Sequence, residues 1–254
     1  MAPNKPTIFA TRLNRRSFLG GISTLGLMFA PGVGQAQAEL DDAHQRIRAL
    51  LSGSEPAIWL FTGDSVTHGA LHTMGWRSYP ELFAERVRWE LRRTRDIVIN
   101  TGISGDTTAG LLKDLDWRIF QFKPHVTSIM MGMNDCAGGP AKRDDFRSNL
   151  NKLVDAIEVH NSLPILNTTN PIYTPNTERR NDIIREVARK RKTVLVDHSS
   201  HWFEVKKTEA EMLYWLNDGS IHPNECGHRE FANLIFKELG IYDPASRTSR
   251  LFVP

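Results

Sequence analysis

Short apolar runs alternate with longer amphipathic ones along most of the chain. "AIWLFTG" (57–63) is compact and apolar throughout, as a strand covered on both faces should be. After a polar loop, an amphipathic helix is predicted from about Tyr79 to Thr94. The alternation then repeats. "DIVINTG" (96–102) reads as a strand, "TTAGLLKDLDWRIFQF" (107–122) as a helix and "HVTSIMMG" (125–132) as a third strand, followed by a helix from about Asp144 to His160. "LPILNTTN" (163–170) and "TVLVDHS" (193–199) are the fourth and fifth strands, with a helix from about Asn176 to Lys190 between them. "PNECGHREFANLIFKEL" (223–239) closes the series as a helix with Pro223 in its first turn. This order predicts a three-layer α/β domain: a five-stranded parallel sheet with helices on both faces.

The first 38 residues break the pattern. They carry Lys5, Arg12, Arg15 and Arg16, no acidic residue, and an apolar, glycine-rich run from Phe18 to Val33 that closes on Ala36-Gln37-Ala38. A basic region, a short apolar region and an A-x-A site together make a secretory signal. The run is too short and glycine-broken for a membrane span. "NRRSFLG" (14–20) sets paired arginines before Phe-Leu, as in a twin-arginine export signal. The expected division is therefore a signal at 1–38, a lead-in at 39–56, the domain at 57–240 and a tail at 241–254. The expected site of action is outside the cytoplasm. The first cysteine is Cys136, which argues against a lipid anchor.

Removing the signal changes the charge balance. The full chain holds 32 Lys and Arg against 29 Asp and Glu, a formal charge of +3; without the four cations of the signal it becomes −1. Nucleic acid loses its main support as a partner. "ERVRWELRRTR" (85–95) stays basic, but as a solvated helix face on which Glu90 and Arg93, three apart, can pair. Two cysteines, Cys136 and Cys226, follow Asn134 by two residues and His222 by four; an oxidising compartment would permit a bridge between them.

In parallel sheets, ligands bind beyond the carboxyl ends of the strands. Four polar, glycine-bearing segments fall there: "GDSVTHG" (63–69), "NTGISGDTT" (100–108), "GMND" (132–135) and "LNDGSIHPNECGH" (216–228). Each alone is ordinary turn chemistry. Their order is specific. A serine hydroxyl needs a neighbouring base to become a nucleophile, a neutral histidine titrates in the useful range, and a carboxylate fixes its tautomer. Preplaced donors must meet the oxyanion that forms, and glycine lets backbone amides approach it.

These blocks resemble the SGNH (GDSL-type) hydrolase family across roughly Ala57 to Leu239, through Ser65 in "GDS", Gly105 in "ISGDTT", Asn134 in "GMND" and His222 in "IHPN". The resemblance implies a flavodoxin-like sheet and an ester hydrolase without a cofactor. It assigns Ser65 as nucleophile and His222 as base, with an oxyanion hole from the Ser65 and Gly105 amides and the Asn134 side chain. The family's D-x-x-H spacing would put the acid at position 219, which here is Gly219. Asp218 is the nearest carboxylate, Asp197 a substitute better suited to capping a turn, and a Ser65–His222 dyad stays open.

Rival motifs fit less well. G-x-S-x-G is absent around Ser65, and Ala70 stands where a Walker loop needs lysine. A flavodoxin-like phosphate or flavin binder would set Asp64 beside the phosphate and leave Asn134 and His222 without roles. Asp218, His222, Cys226 and His228 include four-residue spacings, but Pro223 sets His222 in the loop before the helix and the histidine pair in "HPNECGH" is a poor match to zinc spacings, so no metal is expected, and His228 reads as a packed helix residue. Asp64 and Asp106 are expected to bond their own loops, and Trp59, Trp89 and Trp117 to lie in the core. Trp76 sits in a polar loop where it could stack on a sugar or an acyl chain. His68 and His72 follow Ser65 closely but break the block order for its base. The sequence thus points to an exported serine esterase for short acyl groups, with carbohydrate O-acetyl esters leading: export places it among glycans, and no long apolar insertion offers an acyl channel. A lysophospholipase or thioesterase would use the same machinery.

Overall fold

The computed structural model describes residues 31–136, 140–171, 177–206, 208–216 and 221–250. Five strands, β1 (Ile58–Gly63), β2 (Ile97–Asn100), β3 (Val126–Met130), β4 (Leu163–Asn167) and β5 (Val194–Val196), form one sheet in the order β2-β1-β3-β4-β5. Every pairing is parallel. The predicted three-layer α/β architecture is the one observed.

Period-two alternation divides the strand side chains between two cores. Trp59, Phe61, Val126, Met130, Ile165, Val194 and Val196 enter one cluster, while Leu60, Ile129 and Leu166 enter the other. The first is covered by α1 (Pro31–Ser52), α3 (Tyr79–Glu85), α8 (His198–Val205) and α10 (Glu225–Glu238). The second is covered by α4 (Thr108–Lys113), α6 (Pro140–Val159) and α7 (Thr177–Arg191). Both faces are covered over β1, β3, β4 and β5, which is why those strands read as apolar runs, while the edge strand β2 stays partly exposed.

Several boundaries differ from those expected, each for a local reason. The helix after Tyr79 widens into a π turn at Arg86–Glu90 and stops at Arg92, whose φ is 58°. Glu90 therefore pairs with Arg86 at 3.0 Å, not with Arg93. Arg93 turns to the buried Asp96, which also accepts from the Ala57 N–H and the Trp59 indole. The predicted 107–122 helix breaks at Asp114 (φ −127°, ψ 24°) into α4, α5 (Leu115–Arg118) and a 3₁₀ turn at Phe120–Phe122. The fifth strand ends at Val196 because Asp197 caps α8, accepting from Ser200 N–H; α8 was not anticipated. The closing helix starts at Glu225 with Asn224 as its cap, so Pro223 lies before it, bridged to Leu216. Trp59 is buried, but Trp89 and Trp117 are exposed on helix outer faces. The lead-in belongs to the body: α1 buries Ile47, and His44 Nε2 lies 2.7 Å from Glu238 Oε1. Among the described residues no helix is long and apolar enough to cross a membrane.

Candidate active site

From β1 the chain steps to β2 on one side and then to β3 on the other. The loops leaving β1 and β3 therefore diverge and open a crevice at the carboxyl end of the sheet. Gly-Asp-Ser leaves β1 there, and Asn134 follows β3.

Ser65 opens the four-residue helix α2 (Ser65–His68). Asp64 caps it by accepting from Val66 N–H at 3.0 Å, and Gly69, at φ 70°, returns its N–H to the Ser65 carbonyl. As a first-turn residue, Ser65 keeps an amide N–H with no acceptor inside its helix. The turn is tightly fitted. A Cβ on Gly63 would stand 2.1 Å from Thr67 Oγ1. Asn100 donates to the Thr67 carbonyl at 2.7 Å, joining the end of β2 to α2. As expected, Asp64 bonds its own loop; burial lifts its pKa to about 6, against the Val66 N–H and the charge of Arg180.

His222 reaches this turn from 157 residues away: its Nε2 lies 3.0 Å from Ser65 Oγ. Several contacts among the described residues hold it. Asn170, past the end of β4, donates to the carbonyl of Ile221 at 2.9 Å. The Leu216–Pro223 bridge joins the flanks of the loop, supported by Asn224 N–H donating to Trp215 O. His72 lies flat on the imidazole, with ring centroids 3.5 Å apart and planes 3° from parallel. Beneath them His228 is buried in α10 and accepts from Tyr79 N–H, a packed helix residue as expected. Burial, with His222 and His72 nearby, lowers its pKa to about 3 and keeps it neutral.

The loop after β2 brings the third component. Gly105 is exposed at φ 81°, with open space where a side chain would stand. Asn134 Nδ2 donates to the neighbouring Asp106 carbonyl at 2.8 Å. An amide carries two N–H groups, so this bond fixes the Asn134 plane and leaves the second proton for another acceptor. Asp106 bonds its own loop through the backbone, its N–H donating to the Ile103 carbonyl at 3.2 Å, while its carboxylate pairs with Arg118 of α5. Arg118 is buried and also donates to the carbonyls of Thr101 and Gly63, tying the ends of β1 and β2 together. Sequence reading passed over both Arg118 and Asn170. An arginine in "DLDWRIF" looks like any surface cation until α5 turns it inward.

The remaining candidates fall elsewhere. Asp218 and Gly219 lie outside the described residues. Asp197 is the cap it resembled, held by Arg185 at 2.8 Å and by Ser200 and Thr168. Cys136 and Cys226 are free thiols, so the expected bridge is absent; they pack against opposite clusters, with the sheet between those clusters. His68 bonds Ser104 at 3.0 Å. Trp76 lines a groove of about 650 Å³ with Arg77, Glu85, Glu225, Arg229 and Arg247, and neither Ser65 nor His222 belongs to its wall. A second cleft, of about 500 Å³, borders Asn134.

A serine hydroxyl within hydrogen-bond reach of an imidazole, at a crevice edged by amide donors, is suited to acyl transfer. Fold and site together define an ester hydrolase of the SGNH type. The chain belongs to the GDSL-like lipase/acylhydrolase family, whose sequence model matches residues 61–230, and it is a carboxylic ester hydrolase. An acetylxylan esterase of Geobacillus stearothermophilus is 27% identical over 212 residues, 71% of this chain and 93% of that protein. A Bacillus subtilis lipoprotein, YqeF, is 27% identical over 194 residues, covering 64% of this chain and 79% of its own. A Mycoplasma pneumoniae protein is 34% identical over 112 residues, 42% of this chain but only 13% of its own length. The crystal structure of Axe2, an acetylxylan esterase from Geobacillus stearothermophilus, superposes with a TM-score of 0.61 at 21% identity, over 77% of this chain and 97% of that one.

Proposed function

We propose that this protein is an exported serine esterase that removes short acyl groups, carbohydrate O-acetyl groups above all, through Ser65, His222 and Asp218. The observation that carries the mechanism is the 3.0 Å approach of His222 Nε2 to Ser65 Oγ. Ser65 gives its proton to His222 as Oγ attacks the ester carbonyl. The resulting oxyanion is met by the N–H groups of Ser65 and Gly105 and by the second Asn134 amide proton. His222 then passes the proton to the leaving alkoxide, and water releases the acyl group by the same route in reverse. The role assigned to Asp218 is that of the carboxylate that fixes the His222 tautomer and supports the imidazolium.

Asn134→Ala should lower kcat by roughly 10²–10³-fold, because two backbone donors remain. Steady-state kinetics on an acetate ester checks this. An unchanged kcat would remove Asn134 from the oxyanion hole.

Acetyl specificity draws on the acetylxylan esterase relative and on the walls near Asn134. The cleft there is lined by Thr107, Asp135, Lys142, Asp145 and Asn149, with Ala109 and Phe146 as its apolar side chains, a short apolar wall for an acyl chain. Trp76 and the charged groove beside it suit a sugar, by ring stacking and hydroxyl bonding. Esters of p-nitrophenol from acetate to palmitate, with acetylated xylan, test the assignment. Acetate should give a higher kcat/KM than octanoate or longer chains. A clear win for decanoyl or palmitoyl esters would transfer the protein to the lysophospholipases. Export rests on the twin-arginine pattern at 14–20 and agrees with the lipoprotein relative.

A further inference from the structure

We propose that His72 is a positioning residue for His222, holding the base in plane by a face-to-face ring stack; this rests on the reading of His222 as the base. The stack leaves the edge of His222 toward Ser65, with Nε2 at 3.0 Å, and covers one face of its ring at 3.5 Å. Rotation of His222 about its side-chain bonds would break both contacts together.

The loop that carries His72 is built against local preference. Leu71 (φ 62°) and Met74 (φ 52°) both occupy the left-handed region on either side of it. For residues other than glycine this region is sterically disfavoured. Burial of their side chains does not offset that cost, because Leu71 is 82% and Met74 69% exposed. The turn instead faces two large apolar side chains outward and brings His72 and the buried Thr73 inward. Short bonds close it: His72 N–H to Ala70 O at 2.6 Å and Met74 N–H to Leu71 O at 3.1 Å. Gly69 anchors its start, packed so closely on Ser78 that a Cβ would stand 2.5 Å from the Ser78 Cβ. Hydrophobic burial does not account for this conformation; delivery of a ring to His222 does.

The experiment compares His72→Phe, which keeps a flat ring, with His72→Leu, which fills similar space without one, and includes His222→Ala. All are assayed on an acetate ester, with thermal unfolding as the control for folding. His72→Leu should lower kcat about 10–100-fold with KM changed less than about twofold, the scale set by misplacement of a reacting group. His72→Phe should recover kcat to within about threefold of wild type. A His72→Leu enzyme with wild-type kcat, or a His72→Phe enzyme as slow as His72→Leu, would overturn the proposal while leaving His222 as base. An active His222→Ala enzyme would overturn the underlying reading itself.

Discussion

Ser65→Ala should lower kcat on an acetate ester by about 10⁴–10⁶-fold without moving the unfolding transition. Members of a nucleophile–base unit fail together, so losing the nucleophile costs nearly everything the unit supplies. What survives is the modest catalysis of the oxyanion donors and of binding. The fold should not register the change. The α2 turn is held by backbone and cap contacts: His68 N–H to Asp64 O at 2.9 Å, Gly69 N–H to Ser65 O at 3.0 Å, and the Asp64 carboxylate on Val66 N–H. Only the Ser65 oxygen, with its bond to His222, is removed. Steady-state rates and a urea unfolding curve on the same preparation separate the two effects. A folded Ser65→Ala protein with near-normal turnover would end the serine mechanism.

Asp218→Asn carries the second-largest expected effect, a loss of about 10³–10⁴-fold in kcat through the wrong His222 tautomer. The comparison to run is Asp197→Asn. Both Asp197 oxygens are already engaged by the Arg185 guanidinium, Ser200 and Thr168. Burial works to raise the Asp197 pKa, but Arg185 and the Ser200 N–H outweigh it and hold the carboxyl below its ordinary range. Its replacement should therefore weaken the α8 cap and lower stability, with little change in kcat. A harmless Asp218→Asn beside a crippled Asp197→Asn would move the acid to Asp197. Two mild variants would leave a Ser65–His222 dyad.

The sheet was legible because the four strands other than the edge strand β2 are largely buried on both faces and so appear as apolar runs such as "AIWLFTG". The Ser65–His222 encounter was legible only through the joint order of the blocks, since no local property of "IHPN" says what it will face across 157 residues. What escaped the sequence depends on tertiary contact. Arg118 is buried because the helix breaks at Asp114 and swings it onto the carbonyls of Gly63 and Thr101. Trp89 and Trp117 belong to helical patterns in which an aromatic normally marks the core, yet both face outward. Cys136 and Cys226 are close in sequence to Asn134 and His222, but that nearness carries no information about which side of the sheet each thiol packs against. His72 breaks the block order of a serine base, so spacing gives it no role. Its place is on the face of the base, a geometry that spacing cannot express.

The central claim, that Ser65 is a nucleophile activated by His222, is tested most directly by covalent trapping. The full-length protein is treated with a fluorophosphonate that reacts with activated serines, and the adduct is located by peptide mass spectrometry alongside residual activity. The account predicts phosphonylation of Ser65, advancing in step with the loss of esterase activity and suppressed in His222→Ala. Inactivation with Ser65 unmodified and the label on another residue would contradict it.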